Sequence, residues 1–312
     1  MKTTTLLLCT FTVCALAQHP ELKTGPNADL GGALLMPPND EWNRDVSKDV
    51  VDPLSEAIIG SIGIDKGLHE DFGLVWQGAP GGIPYYVVNG DQPKVPITFE
   101  YADESDPGPY PIPSDAWIEG GPQSDGDRHV LILDKDNWKL YEVYRAFPLD
   151  GGKTWKGSSG AIFDLKAPKP RPAGWTSADA AGLPIMPGLA RYDEICGTKK
   201  LTHALRFTVK KSRKAYVPPA SHFASPYKDE NLPPMGMRVR LKADFDTSKF
   251  TGPAKVIIEG LKTYGMILAD NGADWYISGA PDDRWVHEEL TAIRKVKGKD
   301  FEVVKMGPMT TR

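Results

Sequence analysis

A mainly β architecture, a β-sandwich or jelly roll with a few short helices, is the fold class this sequence predicts. The 28 prolines and 31 glycines are spread through all 312 residues, so long helices are interrupted almost everywhere. Between that punctuation, short apolar or alternating runs of strand length recur. No internal repeat and no low-complexity linker divides the chain, so residues 46–312 read as one β-rich domain.

The elements follow in order. MKTTTLLLCTFTVCALAQHP carries one cation at Lys2, an apolar stretch from Leu6 to Leu16 and the small-x-small ending Ala15-Leu16-Ala17, the pattern of a signal peptide over residues 1–17. Cleavage after Ala17 leaves Gln18 first, and the product is expected to be secreted and extracellular. The apolar stretch is shorter than the ~20 residues of a membrane-spanning helix, and no later segment comes close, so no membrane association is expected. Cys9 and Cys14 leave with that peptide, so Cys196 has no partner for an intramolecular disulfide, and stability must come from the core. Residues 18–45 are polar and without periodicity and read as an extended arm.

Strands are expected over Ile83 to Val88, Val95 to Tyr101, Arg128 to Leu133, Trp138 to Phe147, Gly160 to Leu165, His203 to Val209, Met237 to Phe245, Met266 to Ala269, Trp275 to Ser278 and Phe301 to Val304. One helix is expected from Pro253 through Val256, Ile257, Leu261 and Tyr264 to a stop at Gly265, and another after Asp282, including Trp285, Leu290 and Ile293. The prolines at 107, 109, 111 and 113 predict a stiff polyproline-like excursion.

Charge excludes one class of partner. The formal net charge is −4, with 37 cationic and 41 anionic side chains interspersed, whereas nucleic acid calls for a concentrated basic surface. A nucleophile elbow, a zinc-protease helix, a phosphate loop and a dinucleotide fingerprint are all missing. The Asp270-Asn271-Gly272 segment lacks the later Glu of a calcium loop, and His19 would be N-terminal only if cleavage moved by one residue. No cofactor and no metal is implied, and a monomer is expected.

Three segments carry candidate chemistry. RHVLILDKDNWKLYEVYRAF reads as a β-hairpin with a turn over Asp134 to Asn137, which sets His129 opposite Glu142 and puts both on one face with Leu131, Leu133, Trp138, Leu140 and Tyr144. An imidazole facing a carboxylate on an aromatic surface is suited to proton transfer. HALRFTV places His203, Leu205 and Phe207 on one face and Arg206 on the other, Arg206 reading as a surface ion-pair partner. ILADNGADWYISGAPDDRW gathers Asp270, Asp274, Trp275 and Tyr276 around an Asn-Gly turn, and such aromatics and acids stack on and hydrogen-bond to sugars. In MRVRLKADF, Arg238, Arg240 and Lys242 alternate with apolar residues and read as a solvated outer face.

At the level of whole phrases, RPAGWTSADAAGLPIMPGLARYDE, HALRFTV and ILADNGADWYISGAPDDRW resemble a group of secreted bacterial and fungal proteins of unassigned function. The likeness runs from about Leu54 onward and implies a standing extracellular family; it brings no catalytic residue with it.

The functional expectation is a secreted carbohydrate-active enzyme cleaving an extracellular polysaccharide. As a hydrolase it would use Glu142 as general acid or base, with Asp127 or Asp270 as the second carboxylate. As a lyase it would use His129 or Tyr144 as base, with Arg206 neutralising a uronate. His203 is a further catalytic candidate, and Trp138, Tyr144, Asp274 and Trp275 are candidates for sugar binding. The alternative is a non-catalytic carbohydrate-binding or wall-associated protein using the same aromatics.

Overall fold

Runs such as VLIL and MILA are apolar at every position because the sheets they build are covered on both sides. The computed structural model describes residues 22–76 and 78–311; the expected signal peptide, Gln18 and His19 lie outside them. A five-stranded sheet has the order Gly25–Pro26, Tyr85–Val88, Val130–Asp134, Lys139–Tyr144, Ser159–Asp164. Leu131, Leu133, Leu140 and Phe163 on one face join the main core, while Val130, Ile132, Tyr141 and Val143 on the other pack with Ile97, Tyr110, Ile112 and Trp155. Ile97 and Trp155 belong to a small sheet of Ile97–Phe99, Thr154–Gly157 and Phe147–Leu149 that covers this second face.

The second large sheet has six strands in the order Phe301–Val303, Arg238–Leu241, Met266–Asn271, Leu205–Val209, Tyr276–Ser278, His69–Asp71. Its Leu205, Phe207, Val239, Leu268 and Ile277 share the main core with the first sheet and with helices Ser55–Ile62 and Gly252–Thr263.

The architecture is mixed α/β, and the all-β sandwich or jelly roll expected from the sequence does not form. Tyr85–Val88 runs parallel to Val130–Asp134, Leu205–Val209 to Met266–Asn271, and Tyr276–Ser278 to His69–Asp71. Parallel neighbours cannot be joined by a tight hairpin and need a crossover, so counting strands and turns predicts the wrong class. Asn271-Gly272 shows the same failure locally. Strand Leu205–Val209 lies between the segments on either side of it, so the dipeptide does not close a hairpin.

The alternating cations of MRVRLKADF also depart from expectation. Arg238 and Arg240 are buried under residues 41–49. Arg238 donates to the Glu41 and Arg44 carbonyls, and Arg240 to the Val46 and Asp49 carbonyls and the Glu302 carboxylate. A planar guanidinium with several donors can satisfy carbonyls of an irregular segment that has no strand partner of its own.

Two tryptophans expected to bind sugar are structural. Trp138 is buried, with its indole N–H on the Leu35 carbonyl at 3.0 Å. Trp275 is fully buried, with ring centroids 5.9 Å from Phe207 and 5.2 Å from Phe301, and its N–H donates to the Gly63 carbonyl. Trp275→Ala is expected to lower the unfolding free energy by about 3–5 kcal/mol, the usual cost of emptying a buried aromatic site; chemical denaturation measures it, and a loss below about 1 kcal/mol would contradict this packing.

Candidate functional site

The hairpin expected over residues 128–147 forms, with a shifted register. Asp134 caps the turn by accepting from the Asp136 and Asn137 backbone N–H groups, and Trp138 takes a left-handed φ of 55°. Trp138 therefore belongs to the turn, and Leu133 pairs with Leu140. The change moves each partner by two residues, which preserves the face and alters the neighbour. Glu142 lies opposite Leu131, not opposite His129, and the His129 ring instead sits 5.6 Å from that of Tyr144.

The shift separates the expected acid–base pair chemically. Glu142 is fully buried, and its carboxylate accepts the backbone N–H groups of Ile185 (3.0 and 2.9 Å) and Met186 (3.0 Å). Burial pushes its carboxyl up to about 7 against the pull of those N–H groups. It anchors a loop and is not among the residues lining the cleft between the two large sheets. His129 has Nδ1 2.6 Å from Glu119 Oε2 and Nε2 3.0 Å from the Ala178 carbonyl. Both neighbours are acceptors, so only the doubly protonated imidazolium satisfies them. Burial, the largest effect, would lower its pKa, but Glu119 and more weakly Asp127 outweigh it and hold it at about 9. Glu119, Asp127 and His129 bring one potential ligand atom each within 4.8 Å of one another. An imidazolium has no lone pair to give a metal, so the trio is better suited to holding a proton than a cation.

The remaining candidates divide in the same way. His203 lies 3.1 Å from both Glu194 oxygens and 2.8 Å from the Ala204 carbonyl, in a buried cluster that Arg191 completes through Glu194 at 3.0 Å. Asp274 pairs with Lys66 at 2.6 Å and caps the Lys210 N–H. Arg206 is buried rather than superficial, donating to Ser278 Oγ at 2.7 Å and to Asp179 Oδ1 at 2.8 Å.

Asp179 and Arg206 mark the site. A cleft of about 460 Å³ opens between the two large sheets, lined among others by Asp127, Tyr144, Ser159, Asp179, His222 and Asp270. Asp127, Tyr144 and Asp270 were legible in the sequence; Asp179 and His222 were missed. Asp179 belongs to the phrase WTSADAAGLPI, whose lack of periodicity gave it no assignable neighbour. It is fully buried at the cleft floor, with Oδ1 on Arg206 and Oδ2 without a hydrogen-bond partner. His129 positions this segment through the carbonyl of the preceding Ala178.

Asp270 reaches the cleft through a β-bulge. In the pairing of Leu205–Val209 with Met266–Asn271, Phe207 faces Leu268 and Thr208 faces Asp270, leaving Ala269 as the extra residue. Unbulged, Asp270 would share the core face of Leu268; with the bulge it shares the face of Arg206. Its Oδ2 lies 3.9 Å from the guanidinium nitrogen that holds Asp179. Burial pushes the Asp270 carboxyl up to about 7, Asp179 adding to the rise and Arg206 opposing it. Asp179 is also raised by burial, with Arg206 opposing. Two carboxylates around one cation thus retain a proton that neither would hold in water.

No family model, curated protein or solved structure matches this chain. Function therefore rests on the chemistry of the cleft. An apolar groove of about 380 Å³, lined by Pro80, Trp117, Ile118 and Pro281, holds a single titratable side chain, Asp115, and offers no comparable chemistry.

The imidazolium assignment has a pH signature. His129 titrates near 6.5 when unfolded and at about 9 when folded, so its contribution to stability is complete below 6.5 and lost as pH rises through 9. Glu142 and Asp270 lose theirs lower, between their unfolded values and about 7, so the interval from 7 to 9 isolates His129. The melting-temperature gap between wild type and His129→Gln is expected to shrink across that interval, and a constant gap would exclude the imidazolium. Glu142→Gln turns an amide N–H toward donors and is expected to cost about 1–3 kcal/mol without changing activity per folded molecule. Calorimetry beside an activity assay checks both halves.

Proposed function

We propose that the protein is a glycoside hydrolase acting on an extracellular polysaccharide, with Asp270 as general acid and Asp179 as the second carboxylate. The observation that carries the reading is the carboxylate pair around Arg206, of which Asp270 keeps its proton up to about pH 7. Glycosidic cleavage needs one carboxylic acid to protonate the leaving oxygen and one carboxylate to activate water or attack the anomeric carbon. Burial raises the Asp179 carboxyl and Arg206 opposes that rise, and its Oδ2 has no hydrogen-bond partner, so Asp179 is the carboxylate assigned to the second task. Tyr144 and the half-exposed Tyr101 line the same cleft and supply faces on which a sugar ring can stack. Extracellular action is part of the proposal and rests on the N-terminal leader pattern.

Two neighbouring readings are less well supported. A lyase would need a cation free to neutralise a uronate carboxylate at the reacting carbon, and Arg206 is already engaged by Asp179 and Ser278. A non-catalytic binding module would present aromatics without convergent titratable groups, unlike this cleft.

The test is Asp270→Asn, assayed by release of reducing ends from a panel of neutral and acidic polysaccharides. The side chain is 26% exposed, so the variant is expected to fold, as thermal unfolding will report. Turnover on the responsive substrate is expected to fall at least ~100-fold, the lower range for a lost general acid, and wild-type activity to decline as pH rises above about 7. A fully active Asp270→Asn, or no cleavage of any member of the panel by wild type, would overturn the assignment. Asp179 is the poorer probe, because its removal takes from the buried Arg206 its nearest carboxylate, a loss of about 3–5 kcal/mol.

A further inference from the structure

At the far end of the hairpin, next to the cleft, three cations crowd around one aromatic ring. Arg128 Cζ lies 4.3 Å from the Phe147 ring centroid, Lys156 Nζ 5.1 Å and Arg145 Cζ 5.9 Å. None of the three forms an ion pair among the described residues, although acids outnumber bases in this chain. Arg128 is buried and spends its donors on the carbonyls of Ala146, Pro122 and Ser124, so its charge is solvated by dipoles and is not cancelled. Arg145 and Lys156 are exposed. A ring quadrupole attracts a cation but cannot offset the mutual repulsion of three. An anion placed between Arg145 and Lys156 would.

The backbone connects this cluster to the cleft. Arg128 and Arg145 both adopt left-handed φ, 53° and 52°, a conformation that costs energy outside glycine and concentrates at functional sites. They lie side by side, since the Arg145 N–H donates to the Asp127 carbonyl and the Ala146 N–H to the Arg128 carbonyl. The residue before each, Asp127 and Tyr144, lines the cleft. Two consecutive pairs thus send one side chain into the cleft and the next to the Phe147 cluster at its rim. Lys156 faces Phe147 directly across strands Thr154–Gly157 and Phe147–Leu149.

We propose that Arg145 and Lys156, backed by Arg128, form an anion subsite at the cleft rim that takes a carboxylate or sulfate group carried by the polysaccharide substrate. Its placement relative to the scissile bond rests on the hydrolase reading, while anion binding itself does not. The acids of the cleft floor repel a polyanion from the reacting centre, so the charged group belongs on a neighbouring sugar, and the rim cations set the register.

The test is direct binding by the full chain, measured by affinity electrophoresis through polygalacturonate, dextran sulfate and neutral dextran. Wild type is expected to bind one of the two anionic polymers at least ~10-fold more tightly than dextran, with affinity falling as salt screens the contact; which polymer it is identifies the anion. Arg145→Ala/Lys156→Ala is expected to lose that preference with its melting temperature unchanged. Lys210→Ala/Lys211→Ala removes the same charge from another exposed patch and is expected to retain the preference. Equal binding by wild type and the rim variant, equal loss in the control variant, or no anionic preference in wild type would each overturn the subsite. Asp270→Asn separates the two readings: anionic preference retained without cleavage supports the subsite whatever reaction the cleft performs.

Discussion

An irregular segment of chain is buried between two sheets, and much of this structure follows from satisfying it. Residues 181–190 are all buried, yet apart from the short turn Met186–Gly188 they form neither helix nor strand. Backbone groups removed from water in this way need partners that regular structure would otherwise supply. Both sheets provide them. Glu142 takes the Ile185 and Met186 N–H groups, and Ser177 Oγ donates to the Leu183 carbonyl at 2.6 Å. The bulged Ala269 accepts from Ala181, and Ser278 accepts from Ala190. Just upstream, His129 and Arg206 fix Ala178 and Asp179.

That accounting decides which titratable groups are available for chemistry. A buried charge persists only when paired or hydrogen-bonded, so most of the buried ionisable side chains here are committed to the fold. Glu142 is spent on the loop, His129 on Glu119 and Ala178, and His203 on Glu194. At the cleft, the groups not spent in this way are the buried, unpartnered Oδ2 of Asp179 and the carboxyl of Asp270, both beside Arg206. The site consists of the polar groups that the packing of the loop leaves over.

Local pattern made parts of this legible and not others. Each strand expected from alternation and length has a counterpart in the sheets, because strand identity depends on the run itself. The helix beginning at Gly252 was equally readable from its proline start and apolar spacing. Partners were not. His129 and Glu142 do share a face, but their separation depended on Trp138 adopting left-handed backbone, which no apolar pattern announces. Arg206 and Arg240 looked solvated because alternation indicates two faces without indicating what covers the second. Asp179 was the hardest to find, since its position is set by groups from distant strands and none of its neighbours in sequence is diagnostic.

The hairpin of residues 130–144 shows why the two ends of one element differ in use. At its turn, the polar side chain of Asp134 closes onto the local backbone, and Asn137 donates to that same carboxylate at 2.8 Å, so this carboxylate is spent on the turn itself. At its open end, Asp127 and Tyr144 line the cleft while Arg128 and Arg145, turned by their left-handed backbone, gather at the rim. The residue before each arginine thereby lines the cleft while the arginine itself packs on the Phe147 ring, Arg145 also reaching the Tyr144 hydroxyl. Under the proposed reading, an acidic floor and a cationic rim would meet different parts of one polysaccharide. The left-handed backbone of Arg128 and Arg145 is what turns each arginine away from the direction of the cleft-lining residue before it.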